Sequence, residues 1–178
     1  AASDVYKRQL SISHTTRKKR GGSKDYYIFT SEDDFKNKVS NDFFLEHALV
    51  HGNFYGTSKD FVETKIAEGI NIILEIDVQG VQQIKSTNFP HESIFLLPPS
   101  IESLTERLNE RGTNSKESIE LRLSNAMKEI PSCKDYDHIL VNDVFEDCCN
   151  DLARIITGED SFPMNSKKEL FLTKLLNS

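Results

Sequence analysis

The sequence predicts an α/β fold: a parallel sheet with helices on both faces, into which a more polar lobe is inserted at residues 13–68. Three short apolar runs, at 71–77, 93–99 and 138–143, have the length and composition of strands buried on both faces. Segments with apolar residues at helical spacing follow them, and this alternation is typical of a parallel sheet. The lobe differs because its extended stretches are short and are mixed with polar residues.

The elements of the predicted lobe follow from local signals. Serine is a favoured N-cap residue, and glycine is favoured just after the last turn of a helix. Aromatic and β-branched residues favour strands. These rules predict a strand at 26–29, a helix opened by Ser31 with Asp34 as its capping partner, an extended stretch at 43–50, a turn at 51–56 and a helix from Ser58 to Gly69.

The core elements follow in the second part of the chain. The run at 71–77 is expected to close on a Gln79-Gly80 turn. Two prolines end the run at 93–99, because proline cannot donate to a sheet ladder. The remaining expected elements are a helix from Ser100 to Gly112, a helix at 116–130, a strand at 138–143, a helix carrying Val144, Phe145, Cys148, Leu152 and Ile155, and a final helix at 166–177.

Composition and charge exclude several classes of protein. The 178 residues carry 22 basic and 28 acidic side chains, a net charge of −6, which argues against general nucleic-acid binding. No apolar run reaches the length of about 20 residues that a membrane span needs. The three cysteines match neither a disulfide framework nor a CxxC metal pair, and no secretory leader is recognisable. We therefore expect a cytoplasmic protein with reduced thiols and no membrane partner.

The first candidate site is the run SHTTR with a second arginine three residues later. Ser13 offers a hydroxyl, and Arg17 and Arg20 offer planar guanidinium groups whose paired N–H donors fit phosphate oxygens. An anion site is one interpretation of this run. A solvated basic loop, or a weak patch for nucleic acid, is the alternative interpretation of its RKKR segment.

The second candidate is Glu46 with the expected turn YGTS at 55–58. Guanine presents two adjacent N–H donors, at N1 and N2, and an acceptor at O6. One carboxylate accepts from both donors and the Thr57 hydroxyl donates to O6, whereas adenine presents the reverse pattern and would leave buried groups unpaired. The alternative makes Glu46 a surface charge on an alternating strand, and Tyr27 and Tyr55 ordinary half-buried aromatic residues.

Two carboxylates stand at the end of the first buried run. Glu75 and Asp77 are two residues apart, which on a strand places them on the same face. The carboxyl ends of parallel strands are where open α/β sheets bind ligands. Carboxylate oxygens there suit Mg²⁺ or a hydrogen bond to a substrate. A purely structural role for the two acids is the alternative.

Three arginines form the last candidate. Arg107 and Arg111 lie four residues apart on one expected helix, and Arg122 lies on the next helix, across a Gly-Thr-Asn loop. Guanidinium groups that converge from a mobile lid neutralise phosphates during phosphoryl transfer. The alternative is that they are surface arginines paired with neighbouring glutamates.

Eight motifs in a fixed order make nearly the whole chain resemble a known family. They are SHTTR-x-x-R, DYYIF, FLEHA, GNFYGTS, LEIDVQG, IFLLPPS, RLNERGT…ESIELR and ILVND, spread over residues 10–158. In this order they resemble guanylate kinase, which converts GMP and ATP into GDP and ADP. The resemblance implies the fold of the P-loop nucleoside monophosphate kinases. It implies a single domain at 1–178 with a GMP-binding lobe at 13–68, a helical lid at 103–125 and the remainder as core.

The resemblance also implies a role for each matching residue. The GMP phosphate would be held by Ser13, Arg17, Arg20, Tyr27 and Tyr55. The guanine edge would be recognised by Glu46 and Thr57, and Asp77 would face GMP and the metal region. Glu75 stands where the family more often has aspartate. The catalytic lid arginines would be Arg107, Arg111 and Arg122, and Asn142 would lie beside the adenine of ATP, which arrives with Mg²⁺.

The chain departs from the family pattern at its start. The glycine-rich loop GxxxxGK[ST], which holds ATP phosphates through backbone amides and a lysine, has no match in the sequence. We therefore expect the first strand and the P-loop helix to be missing and residues 1–9 to be foreign sequence. We expect this chain to bind GMP weakly and to turn over little. The short connector GGSKD leaves the choice between Tyr26 and Tyr27 open, with Tyr27 preferred.

A non-catalytic guanylate-kinase-like binding module is the alternative to an enzyme. Some domains of this kind lack a working P-loop, and the missing loop would then be a genuine loss. The GMP-recognising residues and the three arginines argue for the enzyme. The sequence leaves open the oligomeric state and the choice between GMP and dGMP as substrate.

Overall fold

The computed structural model describes residues 8–19, 26–110 and 116–158, and the chain divides into two units between His91 and Glu92. The first unit alternates short strands with helices. Its elements are strands β1 (Arg8–Leu10), β2 (Ser13–Thr15) and β3 (Tyr27–Phe29), helix α1 (Glu32–Ser40), strands β4 (Phe44–Val50) and β5 (Asn53–Ser58), helix α2 (Lys59–Ala67), strand β6 (Asn71–Ile73) and helix α3 (Val78–Lys85).

The strands of the first unit form two sheets. Strands β1 and β6 pair in parallel, with Arg8 opposite Asn71. The other sheet has the order β3-β2-β5-β4, in which β2 and β3 are parallel and β5 runs antiparallel to both of its neighbours. All four strands of this second sheet come from the segment predicted to be an inserted lobe.

Serine side chains cap α1 and α2, as predicted. The Ser31 hydroxyl accepts from the backbone N–H of Asp34 at 3.1 Å, and the Ser58 hydroxyl accepts from that of Phe61 at 3.3 Å. Each bond satisfies one of the N–H groups that the first turn of a helix leaves unpaired. Gly69 follows the end of α2 with a φ of 74°, a conformation that favours glycine.

Strands β4 and β5 form a tight hairpin where the sequence predicts only a turn. His51 and Gly52, the two residues between the strands, have φ values of 48° and 79°. Positive φ at both central positions is the type I′ geometry, whose twist matches that of the flanking strands. The prediction of a turn over 51–56 is wrong beyond Gly52, because residues 53–58 continue as β5.

The connection after β6 also differs from the prediction. Strand β6 ends before the two carboxylates, so Glu75 and Asp77 lie in the connection to α3. The expected turn at 79–80 is instead the first turn of that helix. Leu74 and Ile76 still pack in the hydrophobic cluster of this unit. A buried loop and a buried strand give the same apolar run in a sequence, which explains the error.

Strand β1 has no counterpart in the sequence-based prediction, which treats residues 1–9 as foreign. Arg8 and Gln9 nonetheless pair with Asn71 and Ile72 of β6. This pairing uses backbone N–H and C=O groups and places little demand on the side chains. A strand of three residues with two polar side chains has no apolar alternation by which a sequence would reveal it.

The second unit is built on a parallel pair of strands. Its elements are strand β7 (Ile94–Leu97), helices α4 (Ile101–Glu110) and α5 (Lys116–Glu129), a 3₁₀ helix (Ile130–Asp135), strand β8 (His138–Val141) and helix α6 (Phe145–Thr157). Leu97 and Leu140, one on each strand, are each 1% exposed. Leu97 packs on the 3₁₀ helix and Leu140 packs on α6. Parallel strands with helices against them confirm the predicted α/β class.

Two residues expected to pack in this unit are exposed. Val144 and Phe145 have 53% and 71% of their surface exposed, because α6 begins at Phe145 and its buried stripe starts later. None of the helices in the described ranges is long and apolar enough to cross a bilayer. The helix expected at 166–177 and the helix end expected at Gly112 lie outside the described residues.

Replacing Gly56 by alanine should destabilise the first unit. Gly56 is buried in β5, and a Cβ atom there would lie 2.8 Å from Cδ1 of Phe44. The Phe44 ring is stacked on Phe35 at a centroid distance of 4.5 Å, so it has little room to withdraw. We expect Gly56→Ala to lower the free energy of unfolding by about 1–3 kcal/mol, measured by urea denaturation.

The double variant Phe44→Leu with Gly56→Ala tests the cause of that loss. Leucine lacks the Cε1 atom of the ring, and its Cδ atoms can turn away from the new methyl group, so Gly56→Ala should cost markedly less when Phe44 is replaced. Equal losses in the two backgrounds would contradict the assigned contact. The Phe44→Leu single variant provides the reference for this comparison.

Candidate functional site

Four of the candidate residues lie in a single row across the four-stranded sheet. Ser13 on β2 pairs with Tyr27 on β3 and with Thr57 on β5, and Thr57 pairs with Glu46 on β4. Residues that pair directly in neighbouring strands point to the same face of a sheet. The row therefore has a carboxylate at the β4 end, hydroxyl groups in the middle and a tyrosine at the β3 end, spread over about 14 Å of backbone.

A β-bulge in β4 sets the side of the sheet on which Glu46 emerges. Phe44 and Glu46 pair with consecutive residues of β5, so Leu45 is an extra residue without a partner of its own. In a regular strand, residues two apart point to the same face. Because of the bulge, Phe44 and Glu46 point to opposite faces of the sheet. Phe44 packs against His14 on one face, and Glu46 lines a cleft on the other face.

The Glu46 carboxylate is buried and accepts a hydrogen bond from its own sheet. Thr57 Oγ1 donates to Glu46 Oε1 at 2.6 Å, and the two residues are 0% and 3% exposed, respectively. Burial raises the pKa of Glu46 above its usual value; the Thr57 hydrogen bond opposes this shift and the charge of Asp77 adds to it. The alternative of a surface charge at position 46 is therefore wrong.

Asp77 caps helix α3. Its Oδ1 accepts from the backbone N–H of Gly80 at 3.0 Å, and its Oδ2 accepts from the Gln79 side-chain amide at 2.8 Å. Asp77 thus has a structural role, although an ionised carboxylate retains lone pairs for a ligand beyond these two bonds. Glu75 is exposed, and both acids line the cleft, although they do so from a loop and not from a strand.

Arg17 and two tyrosines form a cluster at the β3 end of the row. The Arg17 guanidinium lies 5.2 Å from the centre of the Tyr27 ring, within the range of a cation–π contact. The rings of Tyr27 and Tyr55 meet edge to face with centroids 6.4 Å apart. These contacts favour Tyr27 over the more exposed Tyr26 as the functional tyrosine. Arg20 lies outside the described residues.

Three of the four residues in the row line a cleft of about 220 Å³ within the first unit. The predicted residues that line it are Ser13, Tyr27, Glu46, Tyr55, Glu75 and Asp77. Its other lining residues are Leu10, Ser11, Tyr26, Ala48, Val50 and Ile76. Sequence analysis missed the buried Ser11, because nothing in the local pattern separates it from an ordinary serine. Thr57 does not line the cleft; its hydroxyl proton goes to Glu46.

The second unit contains two of the three predicted lid arginines in described positions. Arg107 lies on α4 and Arg122 on α5, while Arg111 lies outside the described residues. Arg107 Nη2 donates to the backbone oxygen of Asp143 at 3.4 Å. Asp143 directly follows Asn142 in the chain. In the described ranges neither arginine forms an ion pair with an acid. Convergence of the three guanidinium groups stays a prediction.

The donor set for a metal ion is small. Within the ranges that the structure describes, no group of three histidine, cysteine, aspartate or glutamate side chains is arranged to hold a metal. Glu75 and Asp77 offer hard carboxylate oxygens at the cleft, the ligand type that Mg²⁺ takes. These two residues fit an ion held mainly by substrate phosphates and water, and they do not fit a cation enclosed by protein ligands.

Comparison with known proteins identifies relatives along most of the chain. The sequence model of the family described as Guanylate kinase matches residues 2–159. A guanylate kinase from Escherichia coli strain K12 is 45% identical over 158 residues, which cover 87% of this chain and 76% of that protein. A guanylate kinase from Hydrogenovibrio crunogenus is 46% identical over 149 residues, which cover 83% and 73% of the two chains.

A solved structure gives the same result for the fold. The crystal structure of guanylate kinase from Anaplasma phagocytophilum matches with a TM-score of 0.71 and 30% sequence identity. The match covers 95% of this chain and 86% of the other. The family resemblance and the fold class predicted from the sequence are therefore both confirmed.

Glu46→Gln should stabilise the chain in a pH-dependent way. Because burial raises the pKa of Glu46, the folded chain keeps this proton over a pH range in which the unfolded chain has released it. Wild-type stability should therefore fall as the pH rises from the usual value of 4.5 through the raised pKa. Glutamine has no charge to bury, so the variant should gain stability relative to wild type over that range.

Urea denaturation of the nucleotide-free chain between about pH 4 and pH 8 measures this difference. Glu63→Gln, at an exposed position on α2, removes the same charge without burial and is the matched control. The advantage of Glu46→Gln should vanish at the acidic end, where both states are protonated. Parallel curves for wild type and Glu46→Gln would contradict the assigned burial penalty.

Proposed function

This chain belongs to the guanylate kinase family, and we propose that it binds GMP in the cleft of its first unit for phosphoryl transfer from ATP. One observation carries the proposal: the row of the sheet in which Glu46 stands at one end and Tyr27, beneath Arg17, at the other. A nucleoside monophosphate has the same polarity, with a hydrogen-bonding base at one end and a phosphate at the other.

The β4 end of the cleft suits guanine. The N1–H and N2–H groups of guanine would both donate to the Glu46 carboxylate, which Thr57 holds from the neighbouring strand. Adenine presents an acceptor at N1, which would face the carboxylate and leave buried groups unpaired at a cost of about 1–3 kcal/mol each. Base selection in this proposal rests on Glu46. Thr57 would act only through its bond to that carboxylate, because its hydroxyl proton is given to Glu46 and is not directed at a base.

The β3 end of the cleft suits the phosphate group. Arg17, Tyr27 and Tyr55 lie together there, and Ser13 is the next residue in the row. A guanidinium group and hydroxyl groups supply the N–H and O–H donors that phosphate oxygens accept. Arg20 would add the second guanidinium group that the sequence motif implies.

Phosphoryl transfer depends on the positioning of the substrates and the neutralisation of their charge more than on covalent chemistry by the protein. The attacking GMP oxygen has to meet the γ-phosphate in line, and water has to be excluded so that ATP is not hydrolysed. In this proposal the cleft fixes GMP for that approach, and closure of the lid at 103–125 excludes water. Asn142 would contact the adenine of ATP.

Positive charge for the transfer would come from the second unit. Arg107, Arg111 and Arg122 would neutralise the phosphate oxygens as charge builds up on them. The buried Nε of Arg122 has no hydrogen-bond partner among the described residues, which leaves a donor for an anion. Mg²⁺ bound with ATP would supply further neutralisation, with Glu75 and Asp77 as the carboxylates available to hold it.

Binding measurements on the full chain test the base end of this proposal. Isothermal titration calorimetry should show tighter binding of GMP than of AMP to the wild-type chain. Glu46→Gln should weaken GMP binding about tenfold or more, because hydrogen bonds to a charged acceptor are lost, and should change AMP binding little. The experiment measures GMP binding and not catalytic turnover, because the sequence holds no GxxxxGK[ST] loop for the ATP phosphates.

Glu63→Gln again provides the control for this experiment, since it lies on the exposed side of α2. It should leave the preference for GMP over AMP unchanged. Equal affinity of the wild-type chain for GMP and AMP would refute the proposed function. Selective binding that survives Glu46→Gln would refute the role of Glu46 while leaving the cleft as the nucleotide site.

Arg17→Ala tests the phosphate end separately. Loss of the guanidinium should weaken GMP binding about tenfold or more and leave guanosine, which has no phosphate, nearly unaffected. Lys18→Ala, at an exposed neighbouring position, removes the same charge and should have a much smaller effect. If Arg17→Ala and Lys18→Ala weaken GMP binding equally, the effect is general electrostatics and the contact is disproved.

A further inference from the structure

We propose that Gly80 is a specificity-determining residue: because it has no side chain, the Glu46 carboxylate can lie against the first turn of α3 in the orientation that recognises guanine. The inference rests on the proposed function of Glu46 and concerns how that carboxylate is held. Gly80 is not assigned a contact with the nucleotide. It acts through Glu46 and is a positioning residue.

The space beside Gly80 is filled by two side chains. A Cβ atom on Gly80 would lie 2.8 Å from Glu46 Oε2 and 3.0 Å from the Cβ of Ile76. Contacts under 3.0 Å are essentially never made by real Cβ atoms, so a larger residue would force a shift. The Cβ of Ile76 is fixed to its backbone, whereas Glu46 Oε2 is the end of a flexible side chain. A side chain at position 80 therefore displaces the Glu46 carboxylate first.

Backbone conformation does not account for a glycine at this position. Gly80 lies inside α3, and the glycines with positive φ in the described ranges are Gly52, Gly69 and Gly158. Within a helix, glycine is less favourable than alanine by about 1 kcal/mol. The close approach of Glu46 is the feature of the structure that explains why a side chain is absent here.

The two oxygens of the Glu46 carboxylate face different elements. Oε1 accepts from Thr57 of β5 at 2.6 Å, and Oε2 lies against Gly80 of α3. The partial positive charge at the start of a helix favours a carboxylate there. Displacing Oε2 would rotate the carboxylate about its short bond to Thr57. Two coplanar N–H donors of a base need the carboxylate plane in one orientation, so rotation would weaken both hydrogen bonds.

Helix α3 also fixes the strand that carries Glu46. The Gln83 side chain accepts from the backbone N–H of His47 at 3.1 Å and donates to the backbone oxygen of His47 at 2.7 Å. Strand β4 is an edge of its sheet, so Gln83 takes the place of a missing neighbouring strand at this residue. With the backbone held one residue away, a clash at Gly80 cannot be relieved by moving β4 as a whole.

The first test measures base selectivity in the full chain carrying Gly80→Ala. Binding of GMP should weaken about tenfold or more, while binding of ribose 5-phosphate, which has no base, should stay within about twofold of wild type. Gln82→Ala, at an exposed position on the same helix, should leave both affinities unchanged. Wild-type selectivity for GMP over AMP that persists in Gly80→Ala overturns the inference but leaves the proposed function intact.

A double variant identifies the contact and covers the case in which Gly80→Ala does not fold. Glu46→Asp shortens the side chain by one methylene and draws the carboxylate back from the position in which Oε2 would meet an alanine methyl group. In the Glu46→Asp background, Gly80→Ala should therefore cost little further GMP affinity and little further thermal stability. Full additivity in affinity, or a double variant that unfolds although Glu46→Asp alone is folded, assigns the constraint to Ile76 and overturns the inference.

If the wild-type chain itself shows no preference for GMP over AMP, the proposed function fails before Gly80 is tested. The two failures are thus distinguishable by the wild-type measurement alone. Circular dichroism of each variant accompanies the titrations, so that a loss of selectivity is compared only among folded proteins.

Discussion

Burying a carboxylate costs free energy unless the groups around it form hydrogen bonds with it, and the buried Glu46 imposes this requirement on the first unit. Strand β5 supplies a donor through Thr57, a bulge at Leu45 turns the side chain towards the cleft, and α3 brings Gly80 against its second oxygen. Elements that are distant in sequence thus meet at one side chain. In the proposed function, the burial that makes the carboxylate costly to ionise would also make it selective, because water cannot compensate for a wrong base.

The sequence reveals the parts of this fold whose signals are local. Capping serines, the glycine after α2 and apolar runs of strand length are all properties of a few neighbouring residues, and they predict α1, α2 and the parallel pair of β7 and β8 correctly. Helix α3 is missed, because the sequence predicts only a turn at 79–80. Strand β1 is not predicted from the sequence, because backbone atoms make its pairing with β6 and its side chains show no strand pattern. The strand predicted at 71–77 is longer than the observed β6. The residues after Ile73 are apolar because they pack in the hydrophobic cluster, although they are not part of the strand.

The candidate site also has features that the sequence predicts and features that it does not predict. Motif resemblance names the residue types, and the sheet register brings Ser13, Tyr27, Thr57 and Glu46 into one row. The bulge, the partner of the Thr57 hydroxyl and the approach of Gly80 depend on contacts across many residues of sequence, which no local pattern encodes. The composition of the candidate site is therefore predictable from the sequence and its geometry is not, and the proposed base selection depends on that geometry.

The contact between Gln83 and β4 has a consequence outside nucleotide recognition. A strand at the border of a sheet offers its free donors and acceptors to any other extended chain, which is a common route to aggregation. One glutamine side chain occupies such a pair at His47, and the helix that carries it lies beside the border. The residue that holds the backbone next to Glu46 thereby also removes one open pairing position from this border.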